Sequence, residues 1–288
     1  MTPETIPAVP DTRAAEKFLA KHGISFEKQP DGTIRSQGLL NLCNLRMTAL
    51  PDLSMVHHKG TFSCSDNPLT SLKGAPASVD GDFICANCWL ETLAGAPKRV
   101  TGVIICSGNK LTTLEGGPEY CGGYFNCSEN NLTSLKGAPG FVGGDFYCQK
   151  NALTDLQGAP EVAEGSFLCE ENRLTSLKGG PRVVKFRFDC RDNALETLEG
   201  GPVSVAARCD CRNNPLRSLE HAPLEFVVLN SDAGDFLTAA DVAEFVATQK
   251  KKLEEERRAA VDTIVAETTV TQKSFRAGRP LTLRRPGA

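Results

Sequence analysis

Apolar and polar residues alternate along this chain in short bursts, and each burst returns after 21 residues. In Phe83-Ile84-Cys85, Phe83 and Cys85 fall on one face while Asp82, Ile84 and Ala86 fall on the other, the two-residue period of a β-strand. The alternation recurs as Phe125/Cys127, Phe146/Cys148, Phe167/Cys169 and Phe188/Cys190. Eight cysteines mark the period: Cys64, Cys85, Cys106, Cys127, Cys148, Cys169, Cys190 and Cys211. Around each runs the pattern C-x-x-N-x-L-x-x-L-x-G-x-P-x-x-V-x-G-x-F-x. A fixed period of this size predicts a solenoid, in which each unit buries its apolar edge against its neighbours. One short strand per unit, stacked in parallel at about 4.8 Å, gives about nine rungs and a single parallel sheet on the order of 40 Å long.

The remaining positions of the unit follow from the strand. An asparagine (Asn67, Asn109, Asn130, Asn151, Asn172, Asn193 or Asn214) comes just after it and is suited to satisfying backbone groups that a tight turn leaves unpaired. Two leucines, such as Leu69 and Leu72, fill the interior. The return stretch Lys73-Gly74-Ala75-Pro76 and its equivalents exclude a helix, so the outer wall is expected to be extended or irregular. The first unit is offset: Met47-Thr48-Ala49-Leu50 matches Leu69-Thr70-Ser71-Leu72 at a separation of 22, which puts Leu42 rather than Cys43 at the core position. In the last unit His221 replaces the glycine and Asn230 is expected where phenylalanine should stand.

The flanks differ from the repeats. Residues 1–37 are expected to form an N-terminal cap: a short helix over residues 12–22, with Asp11 as N-cap and Gly23 as its stop, then a hairpin turning at Pro30-Asp31-Gly32. Such a cap covers the open edge of the first rung. The solenoid spans residues 38–231. A charged helix occupies residues 232–268, entered at Thr238 and running to about Ala266. Its apolar stripe (Val242, Phe245, Val246, Leu253, Ala260, Ile264, Val265) is too interrupted for a coiled coil. Residues 269–288 read as a flexible basic tail in which Lys273, Arg276, Arg279, Arg284 and Arg285 are candidates for anchoring the chain.

The motif N-x-L-T-S-L-x-x-x-P followed by an alternating strand resembles the short leucine-rich repeats of bacterial proteins. The stretch NLTSLKGAPGFVGGDFYCQKNALTDLQGAP is similar to repeat proteins encoded by bacteriophage genomes and some bacteria, and FLAKHGISFEKQPDGTIRSQGLLNLCNLRMTALP to their lead-in. The resemblance covers roughly residues 12–223. It implies a mostly β, leucine-rich-repeat-like stack and says little about activity.

Composition narrows the function classes. A formal charge of −3 gives no overall nucleic-acid signature, so nucleic acid is expected at most weakly, through the basic tail. No apolar run approaches a membrane span, and the opening MTPETIPAVP lacks a secretory signal, which makes cytoplasmic residence the default. Stacked thiols point the same way and lie too far apart for good disulfide geometry, so the cysteine file is expected to pack as small hydrophobes. Cys85-x-x-Cys88 has redox or zinc spacing but no second pair, and Cys88 falls on the asparagine position. Cys121 stands for the core valine and Cys209 for the core phenylalanine. None of His22, His57, His58 and His221 has a partner at metal spacing; His57 and His58 are expected in a solvated loop of the first unit. With no P-loop, dinucleotide fingerprint or nucleophile elbow either, no enzyme, metal or cofactor is expected.

The expected contact surface is the outward side of the strands, a concave sheet in this reading. Its members are Ile84, Trp89, Ile105, Tyr124, Tyr147 and Leu168 in the lower half, then Arg187, Asp189, Arg191, Asp192, Arg208, Asp210 and Arg212 in the upper half. Trp89, the only tryptophan, is the foremost candidate for an interface anchor. The expected function is a non-enzymatic interaction module for a host or virion protein. The alternative is a structural part of a phage particle, anchored or self-assembled through the C-terminal helix and basic tail.

Overall fold

The computed structural model describes residues 12–276, with side chains through residue 259. The chain divides into two compact units between Ala239 and Ala240. The first is a parallel β-solenoid whose turns repeat every 21 residues, each strand pairing with its equivalent one turn on: Phe83 with Ile104, Phe125 with Phe146, Phe146 with Phe167 and Phe167 with Phe188. These rungs form an eleven-stranded sheet from Leu40–Asn41 to Gly234–Phe236, the last strand folding back antiparallel.

The single expected sheet is joined by a second parallel face. The P-x-x-V segments pair as well, in a seven-stranded sheet that ends at Phe141–Val142 and a three-stranded sheet of Val162–Ala163, Val183–Val184 and Ser204–Val205. The cause lies in the valine column. Val79, Val100, Cys121, Val142, Ala163, Val184 and Val205 point inward and are buried, while the residue before each points out. That is a strand alternation two residues long, hidden between proline and glycine.

The core is built of files. Phe62 and Phe83 stack at 5.6 Å between ring centroids, Phe125 and Phe146 lie 5.3 Å apart, and Phe146 and Phe167 5.1 Å. All twelve cysteines are free thiols. In the cysteine file the thiols act as donors as well as packing atoms: Cys127 Sγ lies 3.3 Å from the Tyr147 carbonyl and Cys169 Sγ 3.2 Å from that of Asp189. Those carbonyls also accept the cysteine backbone N–H, so each rung is tied twice to the next. Burial drives the thiols upward in pKa, Cys106 to about 12, which suppresses the thiolate and with it nucleophilic chemistry. Asparagines complete the turns. Asn130 Nδ2 donates to the carbonyls of Cys106, Cys127 and Ser128, while its Oδ1 accepts from Leu111 N–H in the turn below. Cys88 takes that position in its own unit, its thiol 3.5 Å from the carbonyls of Cys64 and Ala86. The residue before the asparagine is left-handed in every regular unit, including Glu129 at φ 55° and Lys150 at φ 56°.

The ends follow expectation with adjustments. The first helix spans Arg13–Lys21 with Thr12 as N-cap, and Gly23 stops it at φ 67°; Asp11 lies outside the described residues. The hairpin forms between Ser25–Lys28 and Ile34–Gln37, and its second strand pairs with Val56–Lys59 as the start of the second face. Leu42 is fully buried and Leu40 pairs with Phe62, which bears out the separation of 22 in the first unit. In the last unit the phenylalanine position falls to Leu229, opposite Cys209, not to Asn230. A one-residue shortening moves Asn230 to the outward column beside Asp210. His57 and His58 are not in a loop: the strand Val56–Lys59 carries both, and His58 is buried because it alternates with His57.

The second unit holds a helix, Ala239–Arg276, of 38 residues. It continues ten residues past the expected end, so the backbone of Lys273 and Arg276 is helical rather than part of a tail. The run of good helix formers from Lys250 to Ala260 carries no glycine or proline to stop it, and the first glycine is Gly278. Arg279, Arg284 and Arg285 lie outside the described residues. Every side chain from Ala247 to Ala259 is exposed. No helix among the described residues is long and apolar enough to cross a membrane.

Candidate functional site

Three outward columns run up the eleven-stranded face, at one residue before each core cysteine, three before it, and one after it. The first holds Ile84, Ile105, Asn126, Tyr147 and Leu168, then Asp189 and Asp210, in register. The second holds Asp82, Val103, Tyr124, Asp145 and Ser166, then Arg187 and Arg208. The third holds Gln149, Glu170, Arg191 and Arg212. The structure therefore brings most of the expected contact residues onto one face. Ile84, Ile105, Tyr124, Tyr147 and Leu168 are half-buried there, and the Tyr124 and Tyr147 rings meet edge to face at 5.7 Å. The Tyr147 hydroxyl donates to Asp145 at 2.8 Å; burial and that carboxylate push its pKa to about 12.

Trp89 stands apart. It sits in the turn beyond the strand, 55% exposed, with Lys110 Nζ 5.3 Å from its ring centroid. Lys110 belongs to the adjacent rung, so Trp89 leans on that rung and lies outside the columns of the eleven-stranded face.

The upper half is an ordered array of charge. Asp189 and Asp210 point outward yet are fully inaccessible, covered by guanidinium groups on both sides. Arg212 grips Asp210 with two hydrogen bonds, Nε to Oδ1 at 2.9 Å and Nη2 to Oδ2 at 2.6 Å. Arg187 pairs with Asp189 and lies 3.8 Å from Asp210, and Arg191 Nε lies 3.4 Å from Asp189. Burial raises the Asp189 pKa in spite of these arginines. Burial acts on Asp210 too, but the Arg212 bonds outweigh it and hold that carboxyl below its ordinary value. Glu170 is also raised by burial, and its Oε2 has no donor; Gln149 Oε1 beneath it lacks one as well. Arg191 Nε, despite lying near Asp189, has no well-aligned acceptor. Asp192 lies near Arg191 and accepts from Asn213 Nδ2, at the rim of the array.

Compared with protein-family models and with curated proteins, the chain finds no match. Among the described residues no group of three or more His, Cys, Asp or Glu is placed to hold a metal ion.

Two other features lay outside the expected site. A cavity of about 460 Å³ opens where the hairpin meets the second face, lined among others by Arg35, His57, His58 and Lys59. Its His58 has both ring nitrogens engaged, Nδ1 with Ser36 Oγ at 2.9 Å and Nε2 with the Thr61 carbonyl at 3.3 Å, so it serves the fold. The second feature is an apolar file on the second face: Tyr120, Phe141, Val162 and Val183. Phe141 is 43% exposed and Val162 38%. Its sequence signal is a large apolar residue before the core valine position in four successive units.

Proposed function

We propose that this solenoid is a non-enzymatic protein-interaction module of the leucine-rich-repeat type, phage- or bacterium-encoded and acting in the cytoplasm, and that its partner docks across the eleven-stranded face. The observation that carries this reading is the change along the outward columns. Half-buried apolar and aromatic side chains give way to arginines already locked on Asp189 and Asp210. Tyrosine and arginine dominate measured interface energies, and groups fixed before contact lose little entropy on binding.

The test is affinity capture with wild type beside Tyr147→Ala, Arg191→Glu and Val162→Lys. A specific partner should be lost with the first two and kept with the third, which alters the second face. Retention by both Tyr147→Ala and Arg191→Glu would overturn the assignment. A second reading, a particle component anchored by its C-terminal part, is favoured by the 38-residue helix, whose exposed stretch is suited to a spacer. Detection of the chain in purified particles would select it.

A further inference from the structure

Over seven rungs of the second face the outward file is apolar in its middle and oppositely charged at its two limits: Arg99, Tyr120, Phe141, Val162, Val183, Ser204, Glu225. Below Arg99 the file continues through Ser78, His57 and Arg35. Ladder hydrogen bonds lapse between Phe141 and Val162, but the rungs continue in step on the other face, where Phe146 pairs with Phe167. The Arg99 guanidinium lies 4.0 Å from the Tyr120 ring centroid, and Tyr120 stacks on Phe141 at 5.3 Å, so the lower half is a rigid platform. Neither Arg99 nor Glu225 has an ion-pair partner among the described residues.

We infer that a second copy of this chain docks on this face, turned end for end about an axis along the strands at Val162. Val162 then meets its own copy, Phe141 faces Val183, Tyr120 faces Ser204, and Arg99 faces Glu225 of the second copy. Each contact occurs twice, as an isologous interface requires. The flanks agree. Beside Phe141 stand Gly140 and Gly143, which leave room for the arginine and lysine that flank the second copy's Val183. Glu161 and Glu164, on either side of Val162, face their own copies across the axis; Lys185, 2.6 Å from Glu164 within each chain, and the second copy's Arg182 and Lys185 one rung away offset that repulsion. Docking the copies in the same direction would instead set Arg99 against Arg99 and Glu225 against Glu225, which like-charge repulsion opposes.

The area limits the strength. Six rung steps of about 4.8 Å and three outward positions of about 3.3 Å give a strip of about 290 Å² on each copy. That is roughly a third of the ~800 Å² per partner found in standard stable interfaces, so the dimer is a weak, reversible one. Its end contacts are exposed, and added salt should weaken it.

Sedimentation velocity of the full chain over a range of concentrations tests the proposal. A reversible monomer–dimer equilibrium is expected. Val162→Lys should raise its dissociation constant at least about tenfold, a change of about 1.4 kcal/mol. Arg99→Glu should weaken it, and Arg99→Glu combined with Glu225→Arg should recover most of the loss, because the pair is restored with its charges exchanged. Thermal melts of the variants should match wild type, since all three side chains are exposed; this separates a lost contact from a damaged fold. A monomer at every concentration would overturn the inference. So would a dimer indifferent to Val162→Lys, or a double variant no better than Arg99→Glu alone. Partner capture on the eleven-stranded face is a separate readout and does not depend on this one.

Discussion

The two faces of the solenoid share one 21-residue period and one core, yet they carry different surfaces. On the eleven-stranded face the outward columns are crowded, and in the upper half arginines lie down on buried carboxylates. On the second face the strands are two or three residues long in most rungs, glycines flank them, and the outward file exposes aromatic and aliphatic groups to contact. The period fixes the inward positions on both faces, because phenylalanine, cysteine, leucine and valine files must each match the rung below. Outward positions carry no such demand. Individual function therefore resides in the residues that break the repeat.

The largest expected effect strikes what the faces share. Phe146→Ala removes a ring packed between Phe125 and Phe167, and should lower unfolding free energy by about 3–5 kcal/mol in urea titration. Both faces should lose protection from hydrogen exchange around that rung. Next, Asp210→Ala and Glu164→Ala contrast the faces directly. The first uncovers Arg212 and Arg187 and should cost about 1–3 kcal/mol. The second removes an exposed pair with Lys185 and should cost no more than about 1 kcal/mol. Equal costs would erase the distinction drawn between them.

Acidity sharpens the same contrast. His58, beneath the second face, has a pKa held below its ordinary 6.5 by burial. As pH falls through that value the unfolded chain takes up the proton first, so this contribution to stability is present above it and is lost toward acid. The slope cannot exceed about 1.4 kcal/mol per pH unit for one proton. Asp189, on the first face, has the opposite sign. Its raised pKa favours the fold in acid, and that contribution disappears as pH rises from its ordinary value through the raised one. Unfolding of wild type beside His58→Asn between pH 7.5 and 5.5 should show the histidine component in wild type alone. The smallest effect is local: Glu129→Gly relieves a left-handed backbone but frees the unfolded chain, and should shift stability by less than about 1 kcal/mol.

Much of this fold was legible because files of identical residues leave a strict period. The inward turn of Phe146 and Cys148, the asparagine bridges and the offset of Leu42 could all be counted from the sequence. The second ladder was not, because a strand two residues long between proline and glycine has too little alternation to stand out. The same blindness placed His57 and His58 in a loop and concealed the Phe141 file. Most of the contact residues from Ile84 to Arg212 do share one face, as alternation requires. What alternation cannot express is that an outward aspartate becomes inaccessible when arginines two residues away fold over it, as happens to Asp189 and Asp210.

The assignment of one role to each face is tested most directly by site-specific photocrosslinking in cells, with a benzophenone amino acid placed at position 147 or at position 162. Reaction from position 147 should yield an adduct with a different polypeptide, and reaction from position 162 an adduct of twice the chain's own mass. Chain–chain adducts from position 147, or the same foreign polypeptide from both positions, would contradict it.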